Sequence, residues 1–315
     1  MENGSSTSFV LLGLAEMESL RHFYCPIFTV IYLCILGLSI LILSVVVTDH
    51  SLHEPMYVFI CNLVLNGVFG SSSFFPKLLT DLWTSSETIS RDKCLAQSMC
   101  IMVYGFCEVM TFTVMAYDRY LAVCHPLHYV NLMTNAKAVK LAVECFFVSF
   151  ILNLIGVLLT MRLPLCGTQI KNIFCDNMAI FILACSDTSV NNIYGTVCTI
   201  VLLINALLTI AFTYVRIYIV CLRLSPESRH KALHTLLTHL INFSVFLVGF
   251  IFIFIRYRLG AKTLPASAHI LLSIPSFLFP PLVNPLVFGI RTKALKSRMV
   301  YRLKTWTRIH NRFTV

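Results

Sequence analysis

Seven long apolar stretches dictate most of what this chain can fold into. Phe23–Val47 and Met56–Phe75 carry no charged residue. Cys94–Tyr117 is interrupted only by Glu108, and Leu141–Met161 holds one acid, Glu144, near its start. Val190–Val215 has none, and Ala232–Ile255 carries two histidines. Leu264–Ile290 carries one histidine, with Pro265, Pro275, Pro280, Pro281 and Pro285. A helix crosses a bilayer with about 20 apolar residues. In hydrocarbon the backbone must satisfy its own hydrogen bonds, so each stretch reads as a helix. Prolines inside such helices kink them and let rigid segments swing. Only 12% of the 315 residues are charged and 57% are hydrophobic, too little charge to coat a soluble protein. Lipid is the solvent this sequence calls for.

Seven spans put the two ends on opposite faces, and the Lys/Arg bias sets which is inside. With the N-terminus outside, 15 of the 24 Lys and Arg fall on the inner face. They are Arg119, Lys137 and Lys140, then Arg216, Arg223, Arg229 and Lys231, then eight from Arg291 onward. The sequon Asn3-Gly4-Ser5, a glycosylation acceptor only on the outside, points the same way. Glu16 and Glu18 precede the first span and no basic n-region does, so that span is expected to act as its own insertion signal. The net charge of +10 is densest in the tail, beside apolar helix. That placement suits an anionic leaflet or an acidic partner face, not nucleic acid. Leu295, Met299, Leu303 and Trp306 recur at helical spacing among tail cations. They read as an amphipathic helix on the inner leaflet, with a disordered basic tail as the alternative. The expected fold is an all-α membrane protein, a seven-helix bundle with that short surface helix. Residues 1–22 lie outside, 23–290 form the bundle and 291–315 form a cytoplasmic tail.

Several polar groups sit where they need a reason. Asp118-Arg119-Tyr120 closes the third span, and charge at that depth must be paired, hydrated or used. The bland reading is an interfacial anchor. Glu108 reads either as a glutamate hydrogen-bonded between helices or as a ligand for a sodium ion. Thirteen cysteines leave at least one free. Cys94, Cys166, Cys175 and Cys185 fall where an oxidising exterior could use them, and four cysteines allow three pairings that spacing does not separate. No phosphate loop, zinc helix or hydrolase elbow occurs, so no enzyme activity is expected.

Six strings in order then carry a resemblance. They are "LHEPMY" at 52–57, "PKLL" at 76–79, "MAYDRYLAVCHPLHY" at 115–129, "CDNMAIFILACSDTSVNN", "KALHTLLTHL" and "PPLVNPLVFGIRTKAL". Together, on seven spans, they resemble the odorant receptors of the rhodopsin-like G-protein-coupled class. The "LHEP" and "CNLVLNG" variants resemble fish-type members. The resemblance implies a plasma-membrane receptor that binds a small odorant and activates a stimulatory heterotrimeric G protein to raise cyclic AMP. A rhodopsin-like receptor for a non-odorant small molecule would share the same switch motifs. A transporter would instead show several lined acids or inverted repeats, which this sequence lacks.

The same resemblance implies residue roles. Asp118 holds Arg119 at rest, and on activation Arg119 meets the G protein. Cys94 pairs with Cys175, and Cys166 with Cys185. Asn284 and Pro285 form the seventh-helix motif, which here ends in Phe288 where a tyrosine is usual. Gly67 stands where an aspartate is usual, beside Asn66. Arg229 stands where some relatives carry a locking acid. In "NIFCD", Asn172 takes the place of a proposed metal-binding histidine, so no metal site is expected. Positions carried across from the anchors Arg119, Tyr214, His239 and Asn284 give a ligand pocket of Ile101, Met102, Gly105, Phe106, Cys198, Leu202, Phe250, Phe254, Ile274 and Phe277. That set is apolar and suits lipophilic ligands. Arg256 and Arg258 near the outer end read as arginines snorkelling to the interface, with capture of an anionic ligand head group as the alternative.

Overall fold

The computed structural model describes residues 8–223, 225, 229, 237, 240–251, 266–291, 294–302 and 304. Asn3, Lys231, His239, Phe254, Arg256, Arg258, Leu303 and Trp306 lie outside the described residues.

Among the described residues, five helices are long and apolar enough to cross a membrane. We number them α1 (Arg21–Thr48), α2 (Pro55–Thr84), α3 (Arg91–Cys124), α4 (Asn135–Met161) and α5 (Ser189–Cys221). A shorter apolar helix, α6 (Leu240–Ile251), and α7 (Ala266–Arg291) follow. Local chemistry sets several ends. Pro55 opens α2, where its missing N–H is no loss. Ser85 ends it in a left-handed conformation, φ 53°. Thr134 caps α4 by accepting from Lys137 N at 3.2 Å.

The bundle is apolar outside as well as in its core, and it buries a few polar groups between the helices. Glu108, Thr111, Asn153 and Asn284 are buried, while Phe23, Leu33, Val47, Ile193 and Leu208 face out. A soluble protein could not keep so much apolar surface in water, but a bilayer solvates it. The 34 residues of α3 extend about 50 Å, well past the roughly 30 Å of hydrocarbon. The expected span Cys94–Tyr117 is thus the middle of a longer helix, and Asp118-Arg119 lie within its last turns.

The all-α expectation needs one correction. A three-stranded sheet closes one end of the bundle, in the order β2-β1-β3. Strand β1 (Ser8–Leu11) pairs antiparallel with β2 (Thr88–Ser90) and parallel with β3 (Gln169–Ile170). The segment expected only as an external N-terminus is therefore built into the fold. Phe9 and Leu11 alternate inward and are fully buried. Gly13 follows, where an added Cβ would lie 2.7 Å from the Asn172 carbonyl carbon and 2.8 Å from Ile173 Cγ2. Only glycine permits that approach. Gly13→Val should therefore destabilise the receptor by about 1–3 kcal/mol and lower its surface density, read by labelling an external epitope. Unchanged density and thermal stability would show that this contact gives way freely.

At the opposite end the tail helix, residues 294–302, turns back on the bundle. Leu295 is fully buried, and Arg298 Nε reaches Asp49 Oδ2 at 2.9 Å. Asp49, in the α1–α2 connection, is held below the usual carboxylate range by hydrogen bonds from the Ser51 hydroxyl and backbone and by Arg298. Asn135 Nδ2 donates to His53 O at 2.7 Å, tying α4 to the same connection.

Candidate functional site

A cavity of about 140 Å³ lies near the sheet end, between α3, α4, α5, α6 and α7. Ile101, Met102, Gly105, Phe106, Cys198, Phe250 and Phe277 all line it. Leu202 and Ile274 do not, which corrects their assignment. Leu202 sits one helical turn beyond Cys198, below the cavity floor, and packs against the core. On the α7 side the rings of Phe174 and Phe277, 4.8 Å apart, fill the wall, and Ile274 packs against the core. Gly105 creates room: a Cβ there would stand 3.0 Å from Phe250 Cε2.

The lining is mostly apolar, with polar groups gathered on one side. One wall is polar, formed by Asn153, Asp176, Asn177, Asn191 and Tyr194. The segment before α5 brings two of these in. The Cys94–Cys175 disulfide, Cα–Cα 5.3 Å, ties it to the start of α3. Cys175 N also donates to Gln97 Oε1 at 2.9 Å. Asp176 then caps the short helix Asn177–Phe181 by accepting from Ala179 N at 2.8 Å. A second disulfide joins Cys166 and Cys185. The signal for this wall was present in the sequence, as asparagines inside apolar spans and an Asp-Asn pair directly after a tethered cysteine.

Deeper in the bundle, Glu108 is fully buried. Asn66 Nδ2 donates to its Oε2 at 2.7 Å and Asn284 Nδ2 to its Oε1 at 2.6 Å. One carboxyl group thus links α2, α3 and α7. Gly67 admits α7 closely: a Cβ there would be 3.3 Å from Pro281 Cα. From the cavity toward this level runs an aromatic column on α6. Phe250 meets Phe106, Phe246 meets Tyr104, and Phe243 meets Phe112, all at centroid distances of 5.8–6.3 Å.

At the far end of α3 the acid and the arginine part company. Asp118 accepts from the Tyr129 hydroxyl at 2.8 Å. Arg119 Nη2 lies against Met56 Sδ, and its Nε is buried with no hydrogen-bond partner among the described residues. No hydrogen bond or ion pair within 4 Å joins Asp118 to Arg119, though the two charges stay close enough to attract one another. Tyr120 Oη lies 3.1 Å from His125 Nε2.

Apolar helices gathered round a cavity, with a charged pair at the other end, fit a membrane-embedded receptor. Residues 28–305 match the family described as "Olfactory receptor". Human Olfactory receptor 52D1 is 34% identical over 303 residues, covering 95% of each chain. Human Olfactory receptor 51E1 is 32% identical over 298 residues, covering 94% of this chain and 93% of its own. The chain belongs to the olfactory receptor family of G-protein-coupled receptors, and is a membrane receptor, not an enzyme.

Proposed function

We propose that the chain is a seven-span odorant receptor of the plasma membrane, with Asn3 outside and glycosylated and the tail helix on the inner leaflet. The cavity is the odorant site. Its agonists are small and mostly neutral, and its output is activation of a stimulatory G protein that raises cyclic AMP. The observation that carries this reading is the cavity where seven of ten residues carried over from the family meet. An odorant filling it presses on Phe250 and so on the Phe250-Phe246-Phe243 column, which moves α6 against α3. The outcome at the inner end is access to Arg119, whose Nε, unpartnered among the described residues, and remaining donors suit the carbonyls of a G-protein helix. For Glu108 the two amide donors support the helix-linking role over the sodium-ligand role.

Gly105→Val tests the site. The added methyls meet the Phe250 ring, and a packed bundle resists overfilling. Half-maximal concentrations in a cyclic AMP assay should rise about tenfold for ring-sized agonists and less for smaller ones, at matched surface level. If no agonist shifts, ligands bind elsewhere.

A further inference from the structure

We infer that Gly195 sets the size of ligand the receptor accepts, because the apolar end of the odorant takes the space of the side chain that Gly195 lacks. The inference rests on the cavity being the odorant site. Inside a helix, glycine is less favourable than alanine, since it loses more backbone freedom on folding. Gly195 lies well within α5, and no positive φ calls for it. Other glycines of the bundle have a steric reason. A Cβ at Gly70 would lie 2.5 Å from the Tyr104 ring, and one at Gly67 would lie 3.3 Å from Pro281 Cα. At Gly195 an added Cβ would meet no atom within 4 Å among the described residues. Nothing described there forbids a side chain, so what its absence provides is room.

That room belongs to the cavity, which Gly195 lines. One turn away on either side, on the same helix face, Asn191 and Thr199 are buried, so this face turns into the bundle. Ile193, Val197 and Ile200 are exposed and face lipid instead. Gly37 gives the contrast. A Cβ there also meets nothing within 4 Å, but Gly37 is exposed on α1 and does not line this cavity. The two other glycines of the cavity leave less space. A Cβ at Gly105 would stand 3.0 Å from Phe250 Cε2, and one at Gly156 would stand 3.6 Å from Tyr194 Cε1. Gly195 is thus the open corner of a mostly apolar cavity, and hydrocarbon is what such a corner takes. An apolar cavity of about 150 Å³ accepts benzene, so this one, at about 140 Å³, suits a body of similar size. In so small a space one carbon matters, because a single methylene changes selection in an apolar pocket by about tenfold or more.

The test uses the full-length receptor in cells reporting cyclic AMP, with two graded probe series. One runs from benzene to butylbenzene and the other from 2-butanone to 2-nonanone. Wild-type potency should rise along a series to an optimum and then fall. Gly195→Ala should move that optimum toward a shorter probe and Gly195→Val should move it further, with about a tenfold loss for the longest probe the wild type accepts. Gly37→Ala should leave the optimum in place. Thermal unfolding of the purified receptor gives an arm that needs no agonist. Alanine in an open corner of a helix should raise the unfolding midpoint of Gly195→Ala by about 2 °C. A lowered midpoint would show close packing at this position and overturn the inference. So would silence of the wild type toward both series, an optimum that neither Gly195 variant moves at matched surface level, or an equal shift in Gly37→Ala. If Gly105→Val shifts the probes and the Gly195 variants do not, the cavity reading stands and only this inference falls. If none of these variants shifts any agonist, the cavity reading falls with it.

Discussion

Arg119→Ala should reach the cell surface at the wild-type level and give no cyclic AMP response to any agonist. The two halves of that result have separate causes. Surface level is kept because Arg119 does little for the fold. Asp118 is already bonded to Tyr129, Arg119 touches Met56, and its Nε has no acceptor among the described residues. Removing a guanidinium with an unmet donor relieves a burial cost as it deletes a contact. Signalling is lost because those same donors are what the inner face can offer to backbone carbonyls of a partner. Arg119→Lys should fail as well, since an ammonium has no planar fork. The measurement is agonist-stimulated cyclic AMP with surface receptor quantified in parallel. A normal response from Arg119→Ala would remove Arg119 from the mechanism. Poor surface level with normal response per receptor would make it a structural residue.

Helical apolar runs were the most legible feature, because hydrocarbon leaves the backbone no alternative. Their ends were less so. Cys94–Tyr117 becomes Arg91–Cys124 since a helix continues into water as long as its polar residues are solvated. The strand Ser8–Leu11 could not be read from its own four residues. Its partners, Thr88–Ser90 and Gln169–Ile170, lie about 80 and 160 positions away, and pairing at that distance leaves no local periodicity. Pocket residues on α3 fell into place because one helix fixes their common face. Ile274 did not, because which α7 residue reaches inward depends on how Phe74 and Phe174 pack on Phe277. The polar wall was missed for a related reason. Asn153 and Asn191 each look like isolated polar residues in a span, and only the tethered Asp176-Asn177 segment assembles them into one surface.

That tether is the subject of the second large effect. Cys94→Ser or Cys175→Ser should remove most of the receptor from the surface. The bond joins residues 81 positions apart, so breaking it returns a long closed loop to the unfolded chain. On the chain-entropy account that costs about 4.5 kcal/mol, against a net stability of roughly 5–15 kcal/mol for a folded domain. Cys166→Ser opens a loop of only 19 positions, for which the same account gives about 3 kcal/mol. The ordering is therefore the sharper prediction, with Cys94 and Cys175 variants worse than Cys166 and Cys185 variants. Within a pair, the double variant should be no worse than either single, since one bond is lost in all three. Local consequences should follow in whatever receptor survives. Cys175 precedes Asp176 and Asn177, and without the disulfide the Cys175 N to Gln97 hydrogen bond is left to hold them beside α3. Surviving Cys175→Ser receptors should thus respond to agonists at higher concentrations than the wild type. Surface labelling gives the ordering, and mass analysis of non-reduced peptides gives the pairing. Wild-type surface levels in both Cys94 and Cys175 variants, or a Cys94 thiol found free in the native receptor, would show that packing alone holds this segment over the cavity.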